Sequence, residues 1–416
     1  MSECTSSVAA FPQIPANPLE DLLKEGARRL LAQAVEAEVA AYINAHSHLK
    51  DGNGRRLVVR NGHHPERSIQ TGLGGISVRQ PKVNDGRVDG RGERIRFSSA
   101  ILPKYLRRTK NIEELIPWLY LKGVSTGDFS EALAALLGKD APGLSASTVT
   151  RLKEVWTAEY ETWRSQVINE RIVYIWADGI HFNIRLGEDD RMCMLVIIGA
   201  TADGHKRILA VEPGYRESAM SWKEILLRLR SQGLSIDPEL ATADGALGFW
   251  QALRELFPIT KEQRCWVHKT ANILDKLPKS RQPQAKGMLH EIYLAATLEE
   301  AYKAINRFVE VFEAKYPRAV SCLLKDKDET LEFYNFPAEH WIHIRSTNPI
   351  ESSFATVRHR TRRTKGCGSS KATTAMVFKL LREAEKSWRK LRGYKLLADV
   401  IDINVVFVNG ERRMAA

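Results

Sequence analysis

Three acidic residues of this chain stand where a carboxylate needs a reason. Asp178 follows the apolar run Ile172–Ala177, and the strand-like pattern continues beyond it as Ile-His-Phe-Asn-Ile-Arg. A carboxylate buried in a central strand is costly unless a metal ion or a fixed hydrogen-bond network compensates it. Asp244 ends the short apolar segment Pro-Glu-Leu-Ala-Thr-Ala-Asp and precedes a helix-like run from Gly245. Open α/β sheets place ligands at such strand ends, although the position suits a helix N-cap equally well. Glu351 falls in the first turns of a helix expected to start at Asn348 and Pro349. Two aspartates and a glutamate on separate elements can hold two divalent ions through hard oxygens. Such ions activate an attacking water or 3′-hydroxyl and stabilise the leaving oxygen in an in-line phosphoryl transfer.

Ala-Asp-Gly occurs a third time, at Asp203, between two apolar runs. Asp-Gly in that setting is a hairpin signal, so Asp203 is read as a solvent-facing turn residue with no part in the chemistry. Downstream of Glu351 come Arg358, Arg360, Arg362, Arg363 and Lys365, with no acidic residue between Phe354 and Leu381. At helical spacing these cations cannot share one side. A helix charged around much of its surface suits a strand of phosphates better than an internal salt bridge.

The elements that must position these residues follow from periodicity. Residues 1–17 are small, polar and proline-dotted, and read as a disordered leader. Leu19, Leu22, Leu23, Leu30, Leu31 and Val35 mark an amphipathic helix from Pro18, and residues 50–90 read as short strands between glycine-containing turns, giving a helix plus small β region over 18–95. Residues 96–170 carry three short helices, the last opening near Ser145 or Ser147 and bearing Arg151 and Lys153. This is the pattern of a helix-turn-helix that contacts DNA, or of a plain three-helix spacer; the basic charge favours the first. Three consecutive strands over 171–213, then strand and helix in alternation, indicate a mixed sheet with helices on its faces. Residues 279–345 contain almost no strand signal and read as an α-helical block, residues 346–395 as helical and strongly basic, and 396–416 as a C-terminal tail. The fold class is thus multidomain α/β, a mixed sheet with helices on its faces joined to an α-helical block and preceded by helical DNA-binding domains.

Bulk properties agree. At 416 residues, with 44% hydrophobic and 27% charged residues, the chain can fill several cores. A net charge of +12 favours a polyanionic partner and fits poorly with a hydrolase of small phosphoesters. Cys4, Cys193, Cys265, Cys322 and Cys367 are scattered, without a CxxC pair, which argues against a disulfide framework and a structural zinc site. No apolar run is long enough to cross a bilayer and the N-terminus is no secretion signal, so no membrane partner and a cytoplasmic, nucleoid-associated location are expected.

The strings Trp-Ala-Asp-Gly-Ile-His-Phe-Asn-Ile-Arg, Thr-Ala-Asp-Gly-Ala-Leu-Gly-Phe-Trp, Gln-Arg-Cys-Trp-Val-His-Lys and Ser-Thr-Asn-Pro-Ile-Glu-Ser-Ser-Phe resemble the Mutator-type transposases of bacterial insertion sequences. The likeness runs from about residue 18 to 395. It implies a ribonuclease H-like mixed-sheet catalytic core over 171–278 and 346–395, split by an all-α insertion at 279–345, with Asp178, Asp244 and Glu351 as the metal-binding triad, served by two Mg²⁺ ions, with Mn²⁺ as substitute. It also implies double-stranded DNA as partner, both the terminal inverted repeats and the target, and a homodimer or larger assembly on paired ends. The family motif Cys/Asp-x-x-His falls on Cys265 and His268. A lone CxxH offers two of the four ligands of a zinc site, so Cys265 is read as packing and His268 as lying near the active site or DNA. The rival readings are a non-catalytic DNA-binding regulator descended from a transposase and a nuclease that cuts without joining.

Overall fold

A computed structural model describes residues 18–109, 146–183, 191–214, 218–245, 247–363 and 369–415. The leader 1–17 and most of the first two helices expected over 96–170 lie outside the described residues. Residues 103–109, expected to open the first helix, instead make a turn and then bond to Gln70 of the small β region. The chain divides into two compact units, 1–149 and 150–416.

In the first unit, helix α1 (Pro18–Ala45) is followed by β1 (Val58–His63), β2 (Arg67–Thr71), β3 (Gly74–Val78) and β4 (Pro81–Asp85), paired antiparallel as β1–β4 and β2–β3. The helix lays Val35 and Leu31 against Ile69, Ile76, Val78 and Leu102. Asp85 anchors this unit. It accepts hydrogen bonds from Arg87 Nη2 (2.6 Å), Arg87 Nε (2.9 Å) and the Tyr42 hydroxyl (2.8 Å).

The second unit is built on a five-stranded sheet of order β7-β6-β5-β8-β9: β5 (Ile172–Asn183), β6 (Arg191–Thr201), β7 (Lys206–Gly214), β8 (Leu240–Ala243) and β9 (Lys261–Arg264). β5, β6 and β7 run antiparallel, and β8 and β9 are added parallel beyond β5. Asp203 sits exposed in the β6–β7 turn, as expected. Helix α2 (Ala146–Arg164), the last of the three expected DNA-binding helices, buries Trp156 and Tyr160, and the Tyr160 hydroxyl donates to the Val211 carbonyl of β7.

Side chains alternate across the sheet. Ile175, Ala177, Ala241 and Ala243 share one face, under α3 (Ala219–Ser231) and α4 (Leu247–Leu256), where Trp222, Leu226, Phe249 and Leu253 complete the core. The intervening residues Tyr174, Trp176 and Asp178 therefore point to the other face. There Tyr174 hydrogen-bonds His340, and Trp176 Nε1 donates to the His343 carbonyl.

The expected helical block is present. After α5 (Trp266–Leu274) come α6 (Gln282–Leu294), α7 (Leu298–Phe312) and α8 (Pro317–Leu324), then short helical turns as far as Ile344. The chain returns to the sheet with α9 (Asn348–Arg363) and α10 (Ser370–Glu385). Residues 396–416 depart from the expected tail. They form a short helix, α11 (Leu397–Ile401), and a hairpin of β10 (Val405–Val408) and β11 (Glu411–Met414). Asn409 and Gly410 form its turn at positive φ, 52° and 80°, a backbone these two residue types tolerate. Val405 and Phe407 are buried, and the turn bonds Leu298, Tyr334 and Ala338 of the helical block. Among the described residues no helix is long and apolar enough to cross a membrane.

Candidate active site

β5 and β8 carry the first two acids into adjacency. Ala177 pairs with Ala243 in the parallel ladder, so the next residues, Asp178 and Asp244, follow in register on neighbouring strands, about 5 Å apart along the hydrogen-bonding direction. Asp178 is central to its strand, opposite Val196 of β6, whereas Asp244 lies just past the end of β8. The Asp244 carbonyl accepts from Trp250 Nε1 at 2.9 Å, which ties the strand end to α4.

The third acid arrives from the far side of the helical block. α9 packs against β5 and β6 and presents Glu351 in its first turn. Ligand atoms of Asp178, His268 and Glu351 all lie within 4.8 Å of one another, and His268 Nε2 is 3.5 Å from Glu351 Oε1. The structure thus brings Asp178 and Glu351 together. His268 joins them directly, and Asp244 acts electrostatically on both Asp178 and His268.

Cys265 holds this arrangement in place. Its backbone N–H donates to the Ala243 carbonyl (2.8 Å), extending the ladder beside Asp244. Its buried sulfur accepts the Thr347 N–H at 3.3 Å, and the Thr347 carbonyl accepts the Glu351 N–H at 3.0 Å. One cysteine therefore joins the end of β8 and the start of α5, which carries His268, to the first turn of the helix bearing Glu351. The expectation of packing is met, since Cys265 is fully buried, but packing understates its reach. Thr347 gave no sign in the sequence beyond its place before a helix start.

Electrostatics show what the cluster lacks. Burial pushes the Asp178 carboxyl up to about 7; the His268 charge and the Gly179 N–H oppose this, while Asp244 and Glu351 add to it. His268 is raised to about 9, first by the adjoining Cys265 sulfur and, against its own burial, by Asp178 and Asp244. Its Nδ1 is buried and makes no hydrogen bond, so the sulfur acts by proximity. A buried carboxylate crowded by two more is relieved by a cation. Two carboxylates and one imidazole, Asp178, Glu351 and His268, form a donor set that could hold a divalent ion, with Asp244 close enough to act on it electrostatically.

Of the cationic residues expected to meet DNA, Arg358 is exposed on α9, its guanidinium 5.8 Å from the Phe354 ring centre. Arg360, Arg362 and Arg363 lie on the same helix with side chains outside the described residues, as does the whole of Lys365. Arg151 is exposed and Lys153 half-buried on α2.

Comparison with known proteins gives a consistent answer. The family model of Mutator-family transposases matches residues 3–391. The chain is 48% identical over 300 residues to the transposase for insertion sequence element IS6120 of Mycolicibacterium smegmatis, covering 72% of this chain and 92% of that protein. It is 52% identical over 258 residues to the transposase for element IST2 of Acidithiobacillus ferrooxidans, covering 62% and 87%. At 27% identity, the likeness to the transposase for element ISRM5 of Rhizobium meliloti extends over 397 residues, 95% of each chain.

Proposed function

The chain belongs to the Mutator family of transposases, and from that membership we propose that it cuts DNA at the terminal inverted repeats of its own insertion sequence and joins the freed 3′-hydroxyls to target DNA. The observation that carries this reading is that Glu351, from a distant helix, meets Asp178 and His268, while the parallel register of β5 and β8 sets Asp244 beside Asp178. We read the sheet as ribonuclease H-like, because three antiparallel strands extended by two parallel ones, with the first strand central, place two acids side by side.

Asp178, Asp244 and Glu351 would hold two divalent ions, Mg²⁺ or Mn²⁺. Bound there, they supply activation of the attacking oxygen and stabilisation of the leaving one. The chain's own residues do the positioning. Asp178 is fixed by the rigid centre of β5, and its Oδ1 is oriented by the Gly179 N–H at 2.9 Å. Asp244 is set by the register with β5 and by the Trp250 bond to its carbonyl. His268 faces Glu351 and holds it towards Asp178. Burial of Asp178 and Cys265 keeps bulk water from the inner side of the cluster. Cationic residues on α9 and α2, Arg358 and Arg151 among them, would lie along the DNA backbone. Synapsis of two element ends calls for a homodimer or a larger assembly, acting in the cytoplasm at the nucleoid.

The test is strand cleavage and joining by purified protein on its element's end sequence with Mg²⁺ or Mn²⁺, beside Asp244→Asn. Joined product from the wild type alone supports the reading. Specific end binding without cleavage, in verified assemblies, would move the assignment to a DNA-binding regulator.

A further inference from the structure

A cavity of about 920 Å³ opens between α4, β9, α5 and the end of α8, with Gly245, Trp250, Arg264, Lys269, Asn272 and Asp326 in its wall. Two of these are cations withdrawn from water: Arg264 is 8% exposed and Lys269 1%. Both turn to a single carboxylate. Lys269 Nζ lies 3.5 Å and Arg264 Nε 3.6 Å from Asp326 Oδ2. Charge-assisted N–H···O⁻ bonds close to about 2.7–2.9 Å, so neither contact is made fully, and Arg264 Nε has no hydrogen-bond partner. The Asp326 side chain is itself 28% exposed. Across the whole wall five carboxylates match five cations, with Glu262 held by Arg254 and Glu255 by Lys223. The shortfall is therefore local: the two buried cations share one partly solvated carboxylate and leave Arg264 Nε without a hydrogen bond, which is costly unless another acceptor reaches it.

The cavity adjoins the acid cluster through the chain itself. Gly245 follows Asp244, and a Cβ there would come within 1.5 Å of Arg264 Nη1, so the guanidinium lies against a bare backbone that only glycine provides. Trp250, in the same wall, is the residue bonded to the Asp244 carbonyl. Lys269 follows His268 on α5. The volume is ample for a nucleotide, since ligand sites span roughly 300–1,000 Å³.

We propose that this cavity is an anion subsite that takes a backbone phosphate of the DNA strand led to the acid cluster, with Arg264 and Lys269 supplying the charge. Asp326 occupies their attention until the phosphate arrives. The assignment of DNA as the ligand rests on the function proposed above.

The experiment measures anisotropy of a labelled twelve-nucleotide thymidine strand with the full chain in EDTA, across a range of salt, with inorganic phosphate as a second probe. Lys269→Met should weaken strand binding about tenfold and reduce the salt slope by roughly 0.7, the value of one single-strand phosphate contact. Asp326→Asn removes the competing carboxylate and should tighten binding about threefold or more. A misfolded variant cannot produce that second result. Unchanged salt slope in Lys269→Met, or weaker binding by Asp326→Asn, overturns the proposal and makes the three residues an internal ion cluster. Stabilisation by inorganic phosphate that is lost in Lys269→Met, with strand affinity untouched in both variants, overturns DNA as the ligand. Because no cleavage is scored, failure of the transposase reading shows separately, as absent cutting of element ends by the wild type in Mg²⁺.

Discussion

Asp85 and Asp178 are hidden from water to the same degree, 7% and 6% exposed, yet their carboxyls are driven in opposite directions. The Arg87 guanidinium, with help from the Tyr42 hydroxyl, holds Asp85 far below the ordinary carboxylate range. Burial lifts Asp178 to about 7, with Asp244 and Glu351 adding to the shift and the His268 charge opposing it. The first arrangement is closed: charge is matched and the hydrogen bonds are short. The second is open, and its balance must come from outside the chain. Similar exposure hides a difference in depth as well as in partners: Asp85 lies near the surface with its charge matched, and Asp178 lies deep with its charge unmatched.

The sharpest way to break this comparison is catalytic. Asp178→Asn, Asp244→Asn or Glu351→Gln should each reduce strand cleavage at least about a thousandfold, equivalent to roughly 4 kcal/mol of transition-state stabilisation. Near-normal cutting by one of them removes that residue from the site, while end binding should persist in all three.

Metal addition comes next. Mn²⁺ at a hundred times its dissociation constant should stabilise the wild type by about 2.7 kcal/mol, read as a rise in melting temperature. Asp178→Asn should lose most of that rise; an undiminished rise would place the ion elsewhere.

Stability without metal should then change sign between the two aspartates. Asp85→Asn breaks a matched pair and should cost about 2 kcal/mol. The contribution of Asp85 is present above the unfolded pKa and lost as pH falls through the lower folded value. Asp178 behaves oppositely. Its folded pKa, about 7, lies above the unfolded value, so the folded state keeps a proton that the unfolded chain gives up, and stability falls as pH rises from about 4 to 7. Metal-free Asp178→Asn should therefore melt higher than wild type at pH 8 and equally at pH 4. A lower melting point at pH 8 would mean that Asp178 is a satisfied structural residue after all. The smallest effect is expected of Arg358→Ala, which should lower the salt slope of duplex binding by about 0.9. An unchanged slope assigns that guanidinium to its contact with Phe354.

Much of the site was legible where a residue broke a local rule. Asp178 stood out because an apolar strand ran on past it, and Asp203 was set aside because Asp-Gly between strands makes a turn. What depends on pairing between distant segments was not legible. Nothing local says that β8 adds parallel beside β5 so that Ala177 meets Ala243, which is what turns two separate aspartates into neighbours. The same holds for His268 against Glu351, the Cys265 bond to Thr347, and the meeting of Arg264 and Lys269 with Asp326, which lies far downstream of both. The hairpin at 405–414 did carry a local signal, Asn409-Gly410 directly after the apolar run Val405–Val408, and its terminal position masked it.

The interval between the first and last of the three acids has a consequence for synthesis. Asp178 and Glu351 are separated by more than a third of the 416 residues, with the whole helical block between them. As the chain leaves the ribosome, the N-terminal unit emerges long before Glu351 exists, and contacts of such sequence separation form late. A nascent or prematurely ended chain can therefore carry its small β unit and most of its sheet while the acid cluster is still incomplete. On the proposed triad, the ability to cut DNA arises only after most of the protein has been made.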